Sequence, residues 1–213
     1  MFYDPRRELA PAPLRHNPIN TLVAPRPIGW ISTISAGGVP NLAPYSYFNA
    51  VSADPPVVVF APNAKEDGGW KDSYRNLLEV PEFVVSIVSA PLAAAMNETS
   101  ATFEYGIDEF AAVGIAAAAS QSVRPPRVAA APAALECHVF ARLDLPAGRA
   151  GRRSHLVVGE VTGIWIDDTV IRDGAVDQLA LAQVARLGRN DYTTVERLFE
   201  MKRPAAPTRR RDP

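Results

Sequence analysis

The chain has 213 residues, 47% of them apolar, and its 22 Lys and Arg against 23 Asp and Glu leave a net charge of −1. That is enough for one domain with a single buried core, and the charge balance argues against a dedicated nucleic-acid binder. The single cysteine, Cys137, excludes an intramolecular disulfide and favours a reducing compartment. No apolar run approaches the ~20 residues of a spanning helix. The opening Met1-Phe2-Tyr3-Asp4-Pro5-Arg6-Arg7 has no apolar stretch behind its charges and so lacks the pattern of a secretory signal. The expectation is a cytoplasmic protein that meets neither membrane nor nucleic acid. Its 20 prolines are spread along the chain, which suits a loop-rich β fold better than a helix bundle.

In chain order, residues 1–17 read as an N-terminal arm. The run Ile28–Ser35 is β-branched and aromatic and ends at Gly37-Gly38, a hairpin signal. A longer run, Asn41–Ser52, contains Pro44, which implies an edge position or a bulge. Asp54-Pro55-Pro56 then turns the chain into Val57–Phe60. Residues 28–60 therefore read as a three-stranded antiparallel meander. A short helix is expected over Lys71–Glu79, capped by Asp72 or Ser73. A strand follows at Phe83–Val88, and a second helix opens at Ser89-Ala90-Pro91 and runs through Met96. Asp108-Glu109-Phe110 resembles a helix start, and Ala116–Ala134 reads as irregular.

Leu135–Leu143 alternates, with Leu135, Cys137, Val139 and Ala141 on one face. Ser154–Ile166 is a longer strand in which Gly159 and Gly163 permit a bulge. Helices are expected over Gln178–Arg186 and from Thr193, where Thr193 and Glu196 form a capping-box pattern. The basic tail, 204–213, reads as disordered. Six or more short antiparallel strands with a few helices between them point to a mainly β fold, a curled barrel with peripheral helices.

Most familiar chemistries lack their residues. Cys137 and His138 are adjacent on a strand and point to opposite faces, so they form no nucleophile–base pair, and Cys137 reads as a small buried hydrophobe. His16, His138 and His155 are scattered without metal-ligand spacing. Neither a nucleophile elbow nor a Rossmann or P-loop glycine pattern occurs. Two constellations remain. Lys71, Ser73 and Arg75, with Asn76 a turn later, cluster at a helix start, where backbone N–H groups and the dipole favour a phosphate. The same residues also suit an exposed, capped helix. Ser46, Tyr47, Phe48, Asn49 and Ser52 mix small polar and aromatic groups as a planar heteroaromatic ligand requires, and equally as an ordinary half-buried strand would.

In their order, the segments Arg26–Thr33, Asn41–Ser52 and Asp54-Pro55-Pro56 resemble the flavin reductase-like, FMN-binding split-barrel family. Later segments agree: Lys71-Asp72-Ser73 with Asn76, Glu82–Val85, Arg124–Val128, Leu135-Glu136-Cys137, Leu156–Val161, and Arg186-Leu187-Gly188 with Tyr192. The resemblance spans residues 18–203. It implies a six-stranded antiparallel split barrel, noncovalent FMN, and a homodimer with flavin near the subunit interface. By that resemblance Ser46, Phe48 and Asn49, with Tyr47 and Ser52 beside them, would line the flavin. Thr33, Lys71, Ser73 and Asn76, with Arg26 or Arg186, would lie toward its phosphate.

Members that use NAD(P)H often carry an Asp-His pair before this Gly-Glu-Val strand. Here His155 is present, and Ser154 stands at the aspartate position. His155, beside Arg149, Arg152 and Arg153, is either a nicotinamide contact or a strand-end histidine bonded to water. The implied activity is an NADH- or NADPH-dependent flavin reductase, feeding a monooxygenase or redox-protein partner. The alternatives are a flavoredoxin-like electron carrier reduced by a partner protein, and a structural split barrel with a repurposed site.

Overall fold

In the computed structural model, residues 1–65, 67–148 and 151–204 are described. Residues 1–17 hold no helix or strand, and the basic tail expected from 204 lies, from residue 205 on, outside the described residues. After a short helix α1 (Ile19–Leu22), the chain forms β1 (Arg26–Pro27), β2 (Gly29–Ile34), β3 (Pro40–Tyr45), β4 (Phe48–Ala53) and β5 (Pro56–Phe60). Helix α2 (Asp72–Glu79) leads to β6 (Glu82–Ile87), a 3-10 turn at Ala90–Leu92, α3 (Ala93–Glu98) and α4 (Glu109–Val113). The irregular stretch contains only a two-residue ladder, β7 (Ala117–Ala118) with β8 (Arg127–Val128). The long pair β9 (Ala133–Asp144) and β10 (His155–Ile166) follows, then β11 (Ile171–Arg172) paired with β12 (Ala175–Val176). Helix α5 (Gln178–Leu181), β13 (Val184–Arg186) and β14 (Tyr192–Thr194) complete the described elements.

Seven strands form one antiparallel sheet in the order β3-β2-β6-β9-β10-β5-β4, and β1, β13 and β14 form a small second sheet. The fold class read from the sequence, a mainly β split barrel with peripheral helices, is the one observed, with seven strands in its principal sheet. The Gly37-Gly38 hairpin forms as read, with Gly38 at φ 84° and Ser35 and Val39 closing the turn at 2.9 Å. Pro44 does lie on an edge strand, where its missing N–H breaks no ladder.

The three-stranded meander over 28–60 does not form. The run 41–52 bends at Ser46-Tyr47 into separate strands at opposite edges of the sheet: β3 pairs with β2 and β4 with β5, as the meander has them, but the two hairpins part, and the second neighbour of β5 is β10. Alternating sequence specifies a strand and leaves its partner to the tertiary fold. Gly159 and Gly163 flank register shifts in β9–β10, the bulges that their absent side chains permit.

The helix boundaries also shift. Residues 178–186 are helical only to Leu181, because Ala182 takes a left-handed φ of 45° and the chain becomes β13, paired with β1. No helix begins at Thr193. Thr193 pairs with Ala185 in β14, where a Tyr-Thr-Thr run packs well, and Glu196 accepts from Thr194 instead of capping. Asp108 does cap α4, accepting from Phe110 N–H at 2.9 Å.

Strand β2 is buried on both faces and so divides the core. Ile31 packs inside the barrel with Phe60, Phe83, Val85, Cys137 and Val157. Trp30 packs outside with Leu42, Met96, Phe110 and Val128, beneath α3 and α4. Cys137 is the buried hydrophobe read from the sequence, its thiol pushed far above the ordinary range by burial and, secondarily, by the charge of Glu136. The barrel closes tightly enough that a Cβ at Gly159 would come within 2.3 Å of the Phe83 ring. Gly159→Ala is expected to lower stability by ~1–3 kcal/mol through overpacking, with part recovered in combination with Phe83→Leu. Denaturant unfolding of the three proteins checks this, and an unchanged midpoint for Gly159→Ala would show that the ring has room to yield.

Candidate functional site

Helix α2 begins without a side-chain cap. Lys71 occupies the N-cap position and makes no capping bond, and the caps expected from Asp72 or Ser73 are absent. Both side chains are committed elsewhere: Asp72 pairs with Lys65 at 2.6 Å, and the Ser73 hydroxyl donates to Asn41 Oδ1 at 2.7 Å. The first N–H groups of the helix therefore remain available to an anion. Beside them lies a narrow cleft of about 100 Å³, lined by Lys65, Lys71 and Ser73, the Ala43–Tyr45 stretch of β3, and Thr99–Phe103.

Beneath this cleft runs a buried polar network. Asn41 donates to Glu109 Oε1 at 2.5 Å, and Leu42 N–H, on the free side of edge strand β3, donates to Glu109 Oε2 at 2.9 Å. Ser73 and, more distantly, Thr33 donate to the Asn41 carbonyl. Tyr45 donates to Ser73 at 3.0 Å, Asn76 to Thr33 at 3.1 Å, and Tyr105 to Asn76 at 3.2 Å. Arg75 lies over the Tyr105 ring at 3.7 Å. Thr33, Ser73 and Asn76, all singled out in the sequence, are thus brought together with Lys71. Glu109, read in the sequence only as part of a helix start, is the residue that was missed.

The remaining expected residues are distributed more widely. Arg26 is only 7% exposed, and its guanidinium donates to the carbonyls of Asn20, Val23 and Leu187, so its charge is spent on backbone. Its ring neighbour Tyr47, at 5.9 Å, donates to Asn20 Oδ1 at 2.7 Å, and Ser46 shares the same bend. Phe48 faces the barrel core, where it abuts Gly29, whereas Asn49 and Ser52 are exposed on edge strand β4. Arg186 bonds Tyr192 Oη and the Arg189 carbonyl and lines a separate hollow of about 670 Å³, which meets the narrow cleft at Ser100.

His155 opens a third, wider cleft of about 820 Å³ with Trp70, Tyr74, Asp144, Arg152 and Arg153. Arg149, grouped with these arginines in the sequence, lies outside the described residues. Ser154 does not take the place of an acid, since it bonds Asn63 at 3.0 Å. The carboxylate comes from across the hairpin. Asp144 is the register partner of His155, and its Oδ1 lies 2.9 Å from His155 Nδ1. Tyr74 stacks on the imidazole at 3.9 Å and 9°, its own hydroxyl held above the ordinary range by burial and by Asp144. Arg153 stands 4.0 Å from the other Asp144 oxygen. The signal in the sequence was the hairpin itself, because strands ending near 144 and beginning near 155 face those end residues toward each other.

A curled antiparallel sheet whose edge strand and uncapped helix share a polar cleft is the architecture of a split-barrel flavin-handling protein. Residues 22–180 match the family model described as a flavin reductase like domain. An uncharacterised protein of Deinococcus radiodurans is 41% identical over 201 residues, which cover 91% of this chain and 86% of that one. The fold matches nitrilotriacetate monooxygenase component B from Bacillus cereus with a TM-score of 0.82 at 28% identity, covering 91% of this chain and 98% of that one. It matches 2-nitrobenzoate 2-nitroreductase of Pseudomonas fluorescens with a TM-score of 0.77, also at 28% identity, over 90% and 91% of the two chains. The chain belongs to the flavin reductase-like domain family. No helix among the described residues is long and apolar enough to cross a membrane, and among the same residues no group of three His, Cys, Asp or Glu is placed to hold a metal.

The Glu109 carboxyl is held above the ordinary range by burial, against the opposing hydrogen bonds from Leu42 and Asn41. The native state therefore binds this proton more tightly than the unfolded chain. Its contribution to stability is full below the ordinary carboxylate range and is lost as pH rises through the raised value. Thermal melts across that interval are expected to show this falling limb in the wild type and a flatter profile in Glu109→Gln. Identical profiles would show that Glu109 does not titrate above the ordinary range.

Proposed function

We propose that the protein binds FMN noncovalently, with the phosphate at the start of α2, and is an NADH- or NADPH-dependent flavin reductase. The observation that carries this reading is that α2 borders two clefts at once. Its first turn, Lys71 to Ser73, lines the narrow cleft, and the next residue, Tyr74, stacks on His155 in the wide one. An FMN phosphate at the narrow cleft and a nicotinamide nucleotide at the wide one would both be held by residues of this one helix.

The donors fit an FMN phosphate: Lys71 and the uncapped helical N–H groups border a space of about 100 Å³, which is also lined by Ser73, its hydroxyl engaged by Asn41, and by Asp72, paired with Lys65. Ala43, Pro44 and Tyr45 give a largely apolar wall beside it. Bound FMN would supply the hydride and electron chemistry, so the chain needs no acid–base pair of its own. Lys71 neutralises the phosphate. Thr33 and Asn76 fix the donors behind it, and Ser46, Tyr47, Asn49 and Ser52 remain the candidates for the ring end, with Phe48 supporting them from the core. His155, oriented by Asp144 and Tyr74, contacts the nicotinamide or its phosphate. Arg26 and Arg186 act on the protein backbone in this reading and reach the ligand only through the segments they hold. The similarity to a protein named as a monooxygenase component supports a monooxygenase as the downstream partner.

Anaerobic mixing of the FMN-loaded protein with NADH or NADPH is expected to bleach the flavin absorption. In His155→Ala the KM for the nicotinamide is expected to rise about tenfold with FMN affinity unchanged. No bleaching with either nicotinamide would replace this reading with the electron carrier. A preparation that binds no flavin would leave only a structural split barrel.

The reading includes a homodimer. The β4 edge of the large sheet is exposed from Asn49 to Ala53, and Val51 on β4, Phe140 on β9 and Ile164 on β10 are exposed apolar groups. Sedimentation is expected to give a dimer, and a stable monomer that still binds FMN tightly would remove it.

A further inference from the structure

Glu109 is 4% exposed and both its oxygens are occupied, one by the Asn41 amide and one by Leu42 N–H. An ionised carboxylate only accepts hydrogen bonds. Asn41 must therefore turn its NH2 toward Glu109 and its carbonyl toward Ser73 and Thr33. Ser73 must then donate inward at 2.7 Å, while its oxygen takes the Tyr45 hydroxyl. The one proton of the Ser73 hydroxyl is thus used inside the protein, although Ser73 lines the narrow cleft. A protonated Glu109 reverses the demand. Its O–H donates to the Asn41 carbonyl, the amide turns over, and its NH2 faces Ser73. Ser73 then accepts from both Asn41 and Tyr45, and its proton is left to point into the cleft. The same reversal passes through Thr33 to the Asn76 amide and ends at Tyr105.

We propose that Glu109 is a positioning residue for an anionic ligand of this cleft, a phosphate ester, and that through Asn41 its protonation decides whether Ser73 donates to that ligand. Binding of the phosphate is thereby coupled to proton uptake at Glu109. The ionic surroundings favour such uptake. Asp72 faces Glu109 from α2, β3 contributes Tyr45, whose hydroxyl burial holds protonated, and the facing Thr99–Phe103 segment carries no charge. Of the two lysines in the cleft, Lys65 is paired with Asp72, and Lys71, at the N-cap position of α2, makes no capping bond. Burial, with Asp72 adding to it, keeps the carboxyl above the ordinary range. The proposal rests on the placement of the FMN phosphate at α2.

The test is the ratio of riboflavin to FMN dissociation constants from about pH 5 to about pH 8, a range that spans the phosphate's second ionisation. That ionisation is common to every protein compared. Glu109→Gln presents an NH2 to the Asn41 carbonyl and so imitates the protonated acid. Its preference for FMN is expected to exceed the wild type's by about tenfold at the alkaline end, with the gap closing as pH falls. In a Ser73→Ala background Glu109→Gln is expected to change nothing. Wild-type and Glu109→Gln profiles that superimpose, or a Glu109→Gln effect that survives in Ser73→Ala, would overturn the proposal alone. Lys71→Ala separates that outcome from a failure of the functional reading: if it weakens FMN and riboflavin equally, the phosphate does not lie at α2, and reading and proposal fall together. A measurement that needs no variant is proton uptake at the alkaline end, by calorimetry in two buffers of different ionisation enthalpy. A fraction of a proton taken up with FMN and none with riboflavin is expected, and no uptake with either overturns the proposal.

Discussion

The carboxamide of Asn41 ties two helices and the β2–β3 hairpin together at one buried point. Its NH2 reaches Glu109 on α4, and its carbonyl takes Ser73 on α2 and Thr33 on β2, while its own backbone belongs to edge strand β3. Buried polar groups of this kind are costly unless every member is satisfied, so the arrangement admits few alternatives. It holds α2 against the barrel with its N-terminus turned to the cleft. Lys71 on one side and Tyr74 on the other inherit their positions from that contact. The other oxygen of Glu109 covers the open N–H of Leu42, which would otherwise present an unpaired donor at the sheet edge.

The cations singled out in the sequence differ in what already occupies them. Arg26 and Arg186 stood beside Lys71 as phosphate candidates, yet each guanidinium is directed at backbone carbonyls, and Arg186 also at a tyrosine. Their fork of donors suits several convergent acceptors, which the end of α1 at 20–23 and the loop at 187–189 supply. Lys71 has a single flexible ammonium at an uncapped helix start, with the geometry to answer a ligand.

Local features of the chain were legible wherever one residue type decides the backbone. Gly37-Gly38 marked the β2–β3 turn, Pro44 marked an edge, Gly159 and Gly163 marked the bulges, and Asp108 marked a helix start. The hairpins β2–β3 and β4–β5 were legible, whereas the parting of β3 from β4 was not, because the pattern of 41–52 is the same for one long strand and for two, and it does not name β10 as the second neighbour of β5. The site divides in the same way. Lys71 and Ser73 stood out as neighbours in sequence and the ordered segments supplied the family. Asp144 and Glu109 were hidden because each acts across the fold, one along a hairpin and one from a separate helix. The helix expected to 186 failed for a third reason: pairing with β1 outweighed the helical propensity of an alanine- and leucine-rich run.

Trp70, Tyr74 and His155 form a row of rings along the wall of the wide cleft, with centroids 6.0 Å and 3.9 Å apart. Of the three tryptophans in the chain, Trp30 is buried beneath α3 and Trp165 lies under the guanidinium of Arg127. Trp70 alone lines this cleft and is 51% exposed. A half-exposed indole is expected to emit toward the red end of the protein's fluorescence, and the buried Trp30 toward the blue end. The molecule therefore carries its own optical probe: occupancy of the wide cleft is written in the red edge of the emission spectrum, with Trp30 as an internal reference that a ligand there does not touch.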